Sequence, residues 1–90
     1  MQVFRSSWNH EDKRGVILVS EELNSGDRRI ENFVPMQEIL AEIGQQACCC
    51  EEVYLRIDEA FVPQMNAQEW SQVGFIAIEL RKHNITATIC

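Results

Sequence analysis

Hydrophobic positions along the chain fall into short apolar runs with the composition of strands and into longer stripes with helical spacing. Strands are predicted at residues 2–8, 15–20, 53–57 and 85–89. A polar turn separates the first two runs, which predicts a hairpin. The run from Gly15 to Ser20 is apolar almost throughout, as is typical of a strand covered on both faces. We therefore expect this second strand in the middle of the sheet.

Two further segments carry apolar residues at the spacing of an α-helix. The first helix begins near Pro35, which is tolerated in a first turn. Its apolar stripe consists of Met36, Ile39, Leu40, Ile43 and Ala47. The second helix begins at Asn66, which forms a capping-box pattern with Glu69, and it continues to about His83, where Asn84 can end it. Residues 21–29, between the second strand and the first helix, have the composition of a surface loop.

The resulting element order is ββαβαβ, which predicts one α/β domain spanning residues 1–90. We expect a mixed four-stranded sheet with two long helices packed on it. Crossover connections between parallel strands are right-handed in nearly all proteins, so both are expected to be right-handed here. With both helices on one face, the opposite face of the sheet would be exposed or covered by a partner.

The second helix has two apolar faces. The wide stripe expected to bury against the sheet consists of Trp70, Val73, Ile76, Ala77 and Leu80. Phe75 and Ile78 lie outside that stripe, on the side that also carries Ser71 and Lys82. Apolar side chains grouped on a solvent face indicate an interaction surface. Three interpretations remain open: the segment at Met1 or a loop covers this side, a second copy covers it, or it enters a groove of another protein.

The charge balance narrows the classes of partner. The 90 residues carry 14 acidic and 8 basic side chains, a formal net charge of −6. Such a charge opposes non-specific binding to nucleic acids and anionic membranes, so neither is expected as a partner. No apolar run approaches the roughly 20 residues of a spanning helix, and the first residues lack the apolar segment of a signal peptide. We therefore expect a cytoplasmic protein.

Cysteine chemistry offers three interpretations. Cys48, Cys49 and Cys50 are consecutive, and Cys90 is the last residue. They could serve as small apolar packing residues, a redox-sensitive pair could exist among them, or Cys48, Cys50, His83 and Cys90 could bind zinc at an unusual spacing. No nucleophile and base occur in a recognisable frame, and no glycine-rich phosphate loop follows a strand. We expect no enzyme activity, no metal and no cofactor.

Three segments, at residues 16–23, 53–58 and 65–70, together resemble the STAS domain, the fold of anti-sigma-factor antagonists and of the cytoplasmic tails of sulfate transporters. Residues 16–23 (VILVSEEL) resemble the family's second strand and its Gly-Glu-Leu ending, with Glu21 in place of glycine. Residues 53–58 (VYLRID) resemble the strand that ends in aspartate. Residues 65–70 (MNAQEW) fall on the family's phosphorylation turn, where Ala67 and Gln68 replace its serines. The resemblance implies a protein-binding fold without the phosphorylation switch.

These observations predict a small interaction or regulatory module that binds a protein partner or forms a homodimer. The residues expected to bind the partner are Met65, Asn66, Ser71, Phe75, Ile78 and Lys82. One alternative is a degenerate STAS-like anti-sigma-factor antagonist that uses the start of the second helix. Another is a small-molecule binder or enzyme with a pocket beyond the strands that end at Ser20 and Ile57, where open α/β sheets usually bind ligands.

Overall fold

The computed structural model describes residues 2–21 and 33–89. Its strands are β1 (Gln2–Asn9), β2 (Arg14–Glu21), β3 (Glu52–Ile57) and β4 (Thr86–Ile89), and its helices are α1 (Met36–Gln46) and α2 (Ala67–Lys82). Short 3-10 turns follow α1 at Ala47–Cys49 and precede α2 at Val62–Gln64. The ββαβαβ order is confirmed, and each predicted strand lies within one residue of the observed bounds. Most of the predicted loop at residues 21–29 lies outside the described residues.

The sheet has the strand order β1-β2-β3-β4. β1 pairs antiparallel with β2, whereas β2, β3 and β4 run parallel to one another. β2 therefore occupies an interior position, as predicted. β1 and β4 are the two outer strands, and within the described part of the chain no strand pairs with the far edge of β4.

Both helices pack on the same face of the sheet. Side chains from that face and from the two helices form one hydrophobic cluster, whose largest fully buried members include Phe4, Ile17, Leu55, Ile39, Ile43, Ile76 and Leu80. On the other face, Val16, Leu18 and Tyr54 are only partly buried. The expectation that β2 is covered on both faces is therefore wrong, because successive side chains alternate and the helices cover one side only.

Local interactions fix both ends of α2. The side chain of Asn66 accepts a hydrogen bond from the backbone N–H of Glu69, and the Glu69 carboxylate accepts one from the backbone N–H of Asn66. This reciprocal arrangement confirms the predicted capping box. At the other end Asn84 has a φ of 62°, the left-handed conformation that ends a helix and that asparagine tolerates.

The contact between α1 and the hairpin depends on a glycine. Gly15 is buried beneath the indole of Trp8, and a Cβ at this position would lie 2.6 Å from Trp8 Cε3. The Trp8 Nε1–H and the Ser6 hydroxyl both donate to the carboxylate of Glu42 in α1. The absence of a side chain at residue 15 therefore allows the indole to lie flat on β2 while it bonds to the helix.

Candidate functional site

The outward side of α2 carries exposed apolar side chains. Phe75 is 49% exposed and Ile78 is 53% exposed. Ser71 and Lys82 on the same side are also exposed. The prediction that Phe75 and Ile78 lie outside the buried stripe is confirmed. Within the described residues each keeps about half of its surface accessible, and the Met1 segment and most of the loop that could cover them lie outside the described residues.

Trp70 corrects the predicted buried stripe. Val73, Ile76, Ala77 and Leu80 are buried as predicted, but Trp70 is 42% exposed. Trp70 lies on the flank of the stripe, one turn before Gly74 and two turns before Ile78, so these three residues form one row along the helix. We call Trp70, Gly74, Phe75 and Ile78 the α2 outer patch.

The α2 outer patch extends from the β4 side of the helix to its solvent face. Gln68 and Gln72 of α2 share a cleft with the beginning of α1, which places them on the α1 side. Trp70 and Gly74 each lie two residues from Gln72, about 160–200° around the helix, so both are directed away from α1, toward the side of the domain where the sheet ends at β4. Phe75 follows Gln72 by three residues and lies only about 60° from it, so its side chain is on the solvent face nearer α1.

The neighbouring edge of the sheet is also uncharged. The sequence of β4 is Thr-Ala-Thr-Ile, without the lysine or proline that often protects an edge strand. Ile89 pairs with Leu55, which is buried on the helix-covered face, and Ile89 itself is 52% exposed. The exposed side chains of Trp70 and Ile89 thus lie on the same side of the domain as the β4 edge, with which no other described strand pairs.

The polar groups near the α2 outer patch are largely used within the helix. The Ser71 hydroxyl donates a 2.9 Å hydrogen bond to the carbonyl of Ala67. Lys82 lies 3.7 Å from the carboxylate of Glu79, which also lies 3.6 Å from the ring of His83. Among the patch residues themselves there is no charged side chain, so a contact here would bring no carboxylates together.

Two predicted partner-binding residues lie elsewhere. Met65 packs against the hydrophobic core, and the side chain of Asn66 is engaged in the capping box. The structure therefore brings Ser71, Phe75, Ile78 and Lys82 to one side of α2 but places Met65 and Asn66 before its first turn. A role for these two residues in partner binding stays a prediction.

A crevice occurs at the predicted carboxyl end of β2 and β3. Its volume is about 450 Å³, and its polar lining includes Ser20, Arg56, Asp58 and Glu59. The Ser20 hydroxyl donates a 3.4 Å hydrogen bond to the Asp58 carboxylate. The crevice lies where the sequence predicted a pocket, and its use by a ligand stays a prediction.

The described cysteines lie in two different environments. Cys50 is buried, and this burial raises the pKa of its thiol. Cys48 and Cys49 are exposed with their sulfur atoms 3.0 Å apart, and the hydrogen bond with Cys48 raises the pKa of the Cys49 thiol. The expectation of apolar packing is therefore wrong for Cys48 and Cys49, because the 3-10 turn directs both away from the core.

A metal site needs several His, Cys, Asp or Glu side chains close together. Within residues 2–21 and 33–89, no three His, Cys, Asp or Glu side chains are grouped so that they could hold a metal ion. His83 is paired with Glu79, and His10 contacts the side chain of Gln46. Cys90, the fourth member of the suggested zinc set, lies outside the described residues.

Comparison with known proteins gives no relative: no family model, no curated protein and no solved structure matches the chain. The resemblance to STAS domains therefore stays a prediction. Among the described helices, none combines the length and the hydrophobicity that crossing a membrane requires.

Proposed function

We propose that this protein is a cytoplasmic interaction module that joins a second copy of itself through the α2 outer patch and the edge of β4. The observation that carries the proposal is the half-exposed state of Trp70 and Ile78 near the edge of β4, which is uncharged and, in the described part of the chain, unpaired; Phe75 is exposed on the adjoining solvent face of α2. Large aromatic side chains in a grouped apolar surface are typical of the residues that dominate binding energy at interfaces.

A second copy fits this side of the domain because a two-fold axis would place the α2 outer patch and the β4 edge of one copy against the same parts of the other. In a two-fold interface the same residues of both subunits meet each other. Antiparallel pairing of β4 with the β4 of a second copy would continue the sheet and satisfy both open edges. Because the helices of both copies would lie on the same face of the joined sheet, the two α2 outer patches would be neighbours.

The size of the surface supports the use of both parts together. A fully buried aromatic side chain removes about 150–250 Å² from water, so Trp70 and Phe75, each about half exposed, offer on the order of 100 Å² apiece. A stable interface needs about 800 Å² from each partner. Trp70 and Phe75 alone supply only a fraction of that area, so a stable dimer also requires burial of Ile78, Ile89 and the β4 edge.

The test is the oligomeric state of matched variants. Sedimentation equilibrium should show a dimer for the wild type and for Ala41→Asp, which adds the same charge to an exposed position of α1. Phe75→Asp should be a folded monomer, because a carboxylate would be buried without a partner. A monomeric wild type, or a Phe75→Asp variant that dimerises like Ala41→Asp, would refute the proposal.

A further inference from the structure

A cleft separate from the α2 outer patch lies between the beginnings of the two helices. Its volume is about 540 Å³, which is within the usual range for small-molecule sites. Met36 and Gln37 line one side, and Gln68, Glu69 and Gln72 line the other. The first residue of β1, Gln2, also lines this cleft.

The carboxamide of Gln2 is buried without a hydrogen-bond partner. Gln2 is only 5% exposed, and neither its Nε2 nor its Oε1 atom has a partner in the described structure. Gln2 and Phe4 lie two residues apart and so share the helix-covered face of β1, which directs Gln2 toward the helices rather than to the open face. Burial of an amide without hydrogen bonds is costly, and such groups normally have partners.

The rest of the cleft is polar but nearly neutral. The side chains of Gln37, Gln68 and Gln72 make no hydrogen bond within the described residues, so they are free to bind a ligand. Among residues 2–21 and 33–89 no lysine or arginine lines the cleft, and the carboxylate of Glu69 is occupied by the capping box. This lining disfavours an anionic ligand and favours neutral groups that both donate and accept hydrogen bonds.

We propose that the cleft binds a small planar ligand that presents a hydrogen-bond donor and an acceptor on neighbouring atoms to Gln2. Gln2 Nε2 would donate to the ligand's acceptor while Gln2 Oε1 accepts from its donor. A glutamine carboxamide makes this two-bond pairing with the edge of adenine, and a primary carboxamide offers the same pair. Both sources share the chemistry that would satisfy Gln2.

The experiment uses ¹⁵N-labelled protein and follows the side-chain NH₂ signals of Gln2, assigned by their disappearance in Gln2→Met. The probes at millimolar concentration are adenine, used as 9-methyladenine, and nicotinamide. Each has a neutral control of similar shape that lacks the N–H donor: 9-methylpurine and 3-acetylpyridine. We expect the adenine probe or nicotinamide to shift the Gln2 signals, and 9-methylpurine and 3-acetylpyridine to leave them unchanged. A response to adenine alone identifies a nucleobase edge, and a response to nicotinamide alone identifies a carboxamide.

Gln2→Met supplies a second readout that a purely structural glutamine would not give. The thioether has nearly the same shape as the carboxamide but removes both unpaired polar atoms. We expect Gln2→Met to lose the chemical-shift response of the cleft while its thermal midpoint stays equal to that of the wild type or rises. The proposal is overturned if neither adenine nor nicotinamide shifts the signals, if the control probes bind equally well, or if Gln2→Met lowers the midpoint.

Discussion

Two glycines in exposed parts of the helices provide a matched test of the proposed interface. A Cβ added at Gly44 in α1 or at Gly74 in α2 would meet no atom within 4 Å. Alanine is more favourable than glycine in a helix by about 0.5–1 kcal/mol. Gly44→Ala and Gly74→Ala should therefore raise the free energy of unfolding of the monomer by similar amounts. For a domain of this size, 1 kcal/mol corresponds to a rise of about 4–8 °C in the thermal midpoint.

Dimer formation should separate the two variants. Gly74 lies inside the α2 outer patch, whereas Gly44 lies on α1, away from it. An extra methyl group in a packed contact costs about 1–3 kcal/mol, and a two-fold dimer carries two of them, so the dimer is weakened by about 2–6 kcal/mol, or roughly 30-fold to 25,000-fold. Gly74→Ala should raise the dissociation constant by this factor, while Gly44→Ala leaves it unchanged.

The two effects can be measured independently. Thermal unfolding in the Phe75→Asp background reports the monomer, because association otherwise adds to the apparent stability. Sedimentation equilibrium of each glycine variant in the otherwise wild-type chain reports the dimer. The reasoning is refuted if Gly74→Ala and Gly44→Ala dimerise equally well, or if Gly74→Ala destabilises the monomer.

Four further predictions concern single features of the structure. Gly15→Ala should lower the free energy of unfolding by about 1–3 kcal/mol in urea denaturation, because its Cβ would clash with Trp8. In a chain that already carries Trp8→Ala, Gly15→Ala should cause little further loss, because the clashing indole is absent. Asn66→Ala should cost about 0.5–2 kcal/mol through loss of the capping box, measured by the same denaturation, and an unchanged midpoint would contradict that role. Mass spectrometry after brief alkylation should show modification at Cys48 and protection of Cys50 until denaturant is added; equal labelling would mean that Cys50 is accessible. Burial raises the pKa of the Cys50 thiol, so the neutral thiol contributes to the free energy of unfolding below the ordinary thiol range, and this contribution is lost as pH rises through the folded pKa. Cys50→Ala should therefore show a smaller fall in the free energy of unfolding with rising pH than the wild type, as measured by denaturation at alkaline pH.

Features determined by neighbours in sequence could be predicted reliably. The uninterrupted apolar run of β2 and the pairing of Asn66 with Glu69 depend on local patterns, so their elements were found with nearly correct bounds. The exposed state of Phe75 followed from its position opposite the buried stripe. In these cases periodicity of 2 or 3.6 residues carries the information.

Features that depend on where the sheet ends, or on a short turn after a helix, could not be predicted from local patterns. Trp70 belongs to the apolar stripe by spacing, but its exposure depends on the fact that no further strand follows β4 in the described sheet. The predicted apolar packing of Cys48 and Cys49 is wrong because a 3-10 turn follows α1 and directs both side chains away from the core. The burial of Gln2 could have been predicted from one feature of the sequence: Gln2 lies two residues before Phe4, which places both on the buried face of β1.

The most direct test of the proposed self-association is an isotope-filtered NOE measurement on an equal mixture of labelled and unlabelled protein. Contacts detected in this experiment arise only between copies. The account predicts intermolecular NOEs from the aromatic protons of Trp70 or Phe75 to the methyl groups of Ile78. Intermolecular NOEs confined to Leu18 and Tyr54 on the open face of the sheet would contradict it, as would the absence of NOEs from Trp70 and Phe75 at concentrations where the protein sediments as a dimer.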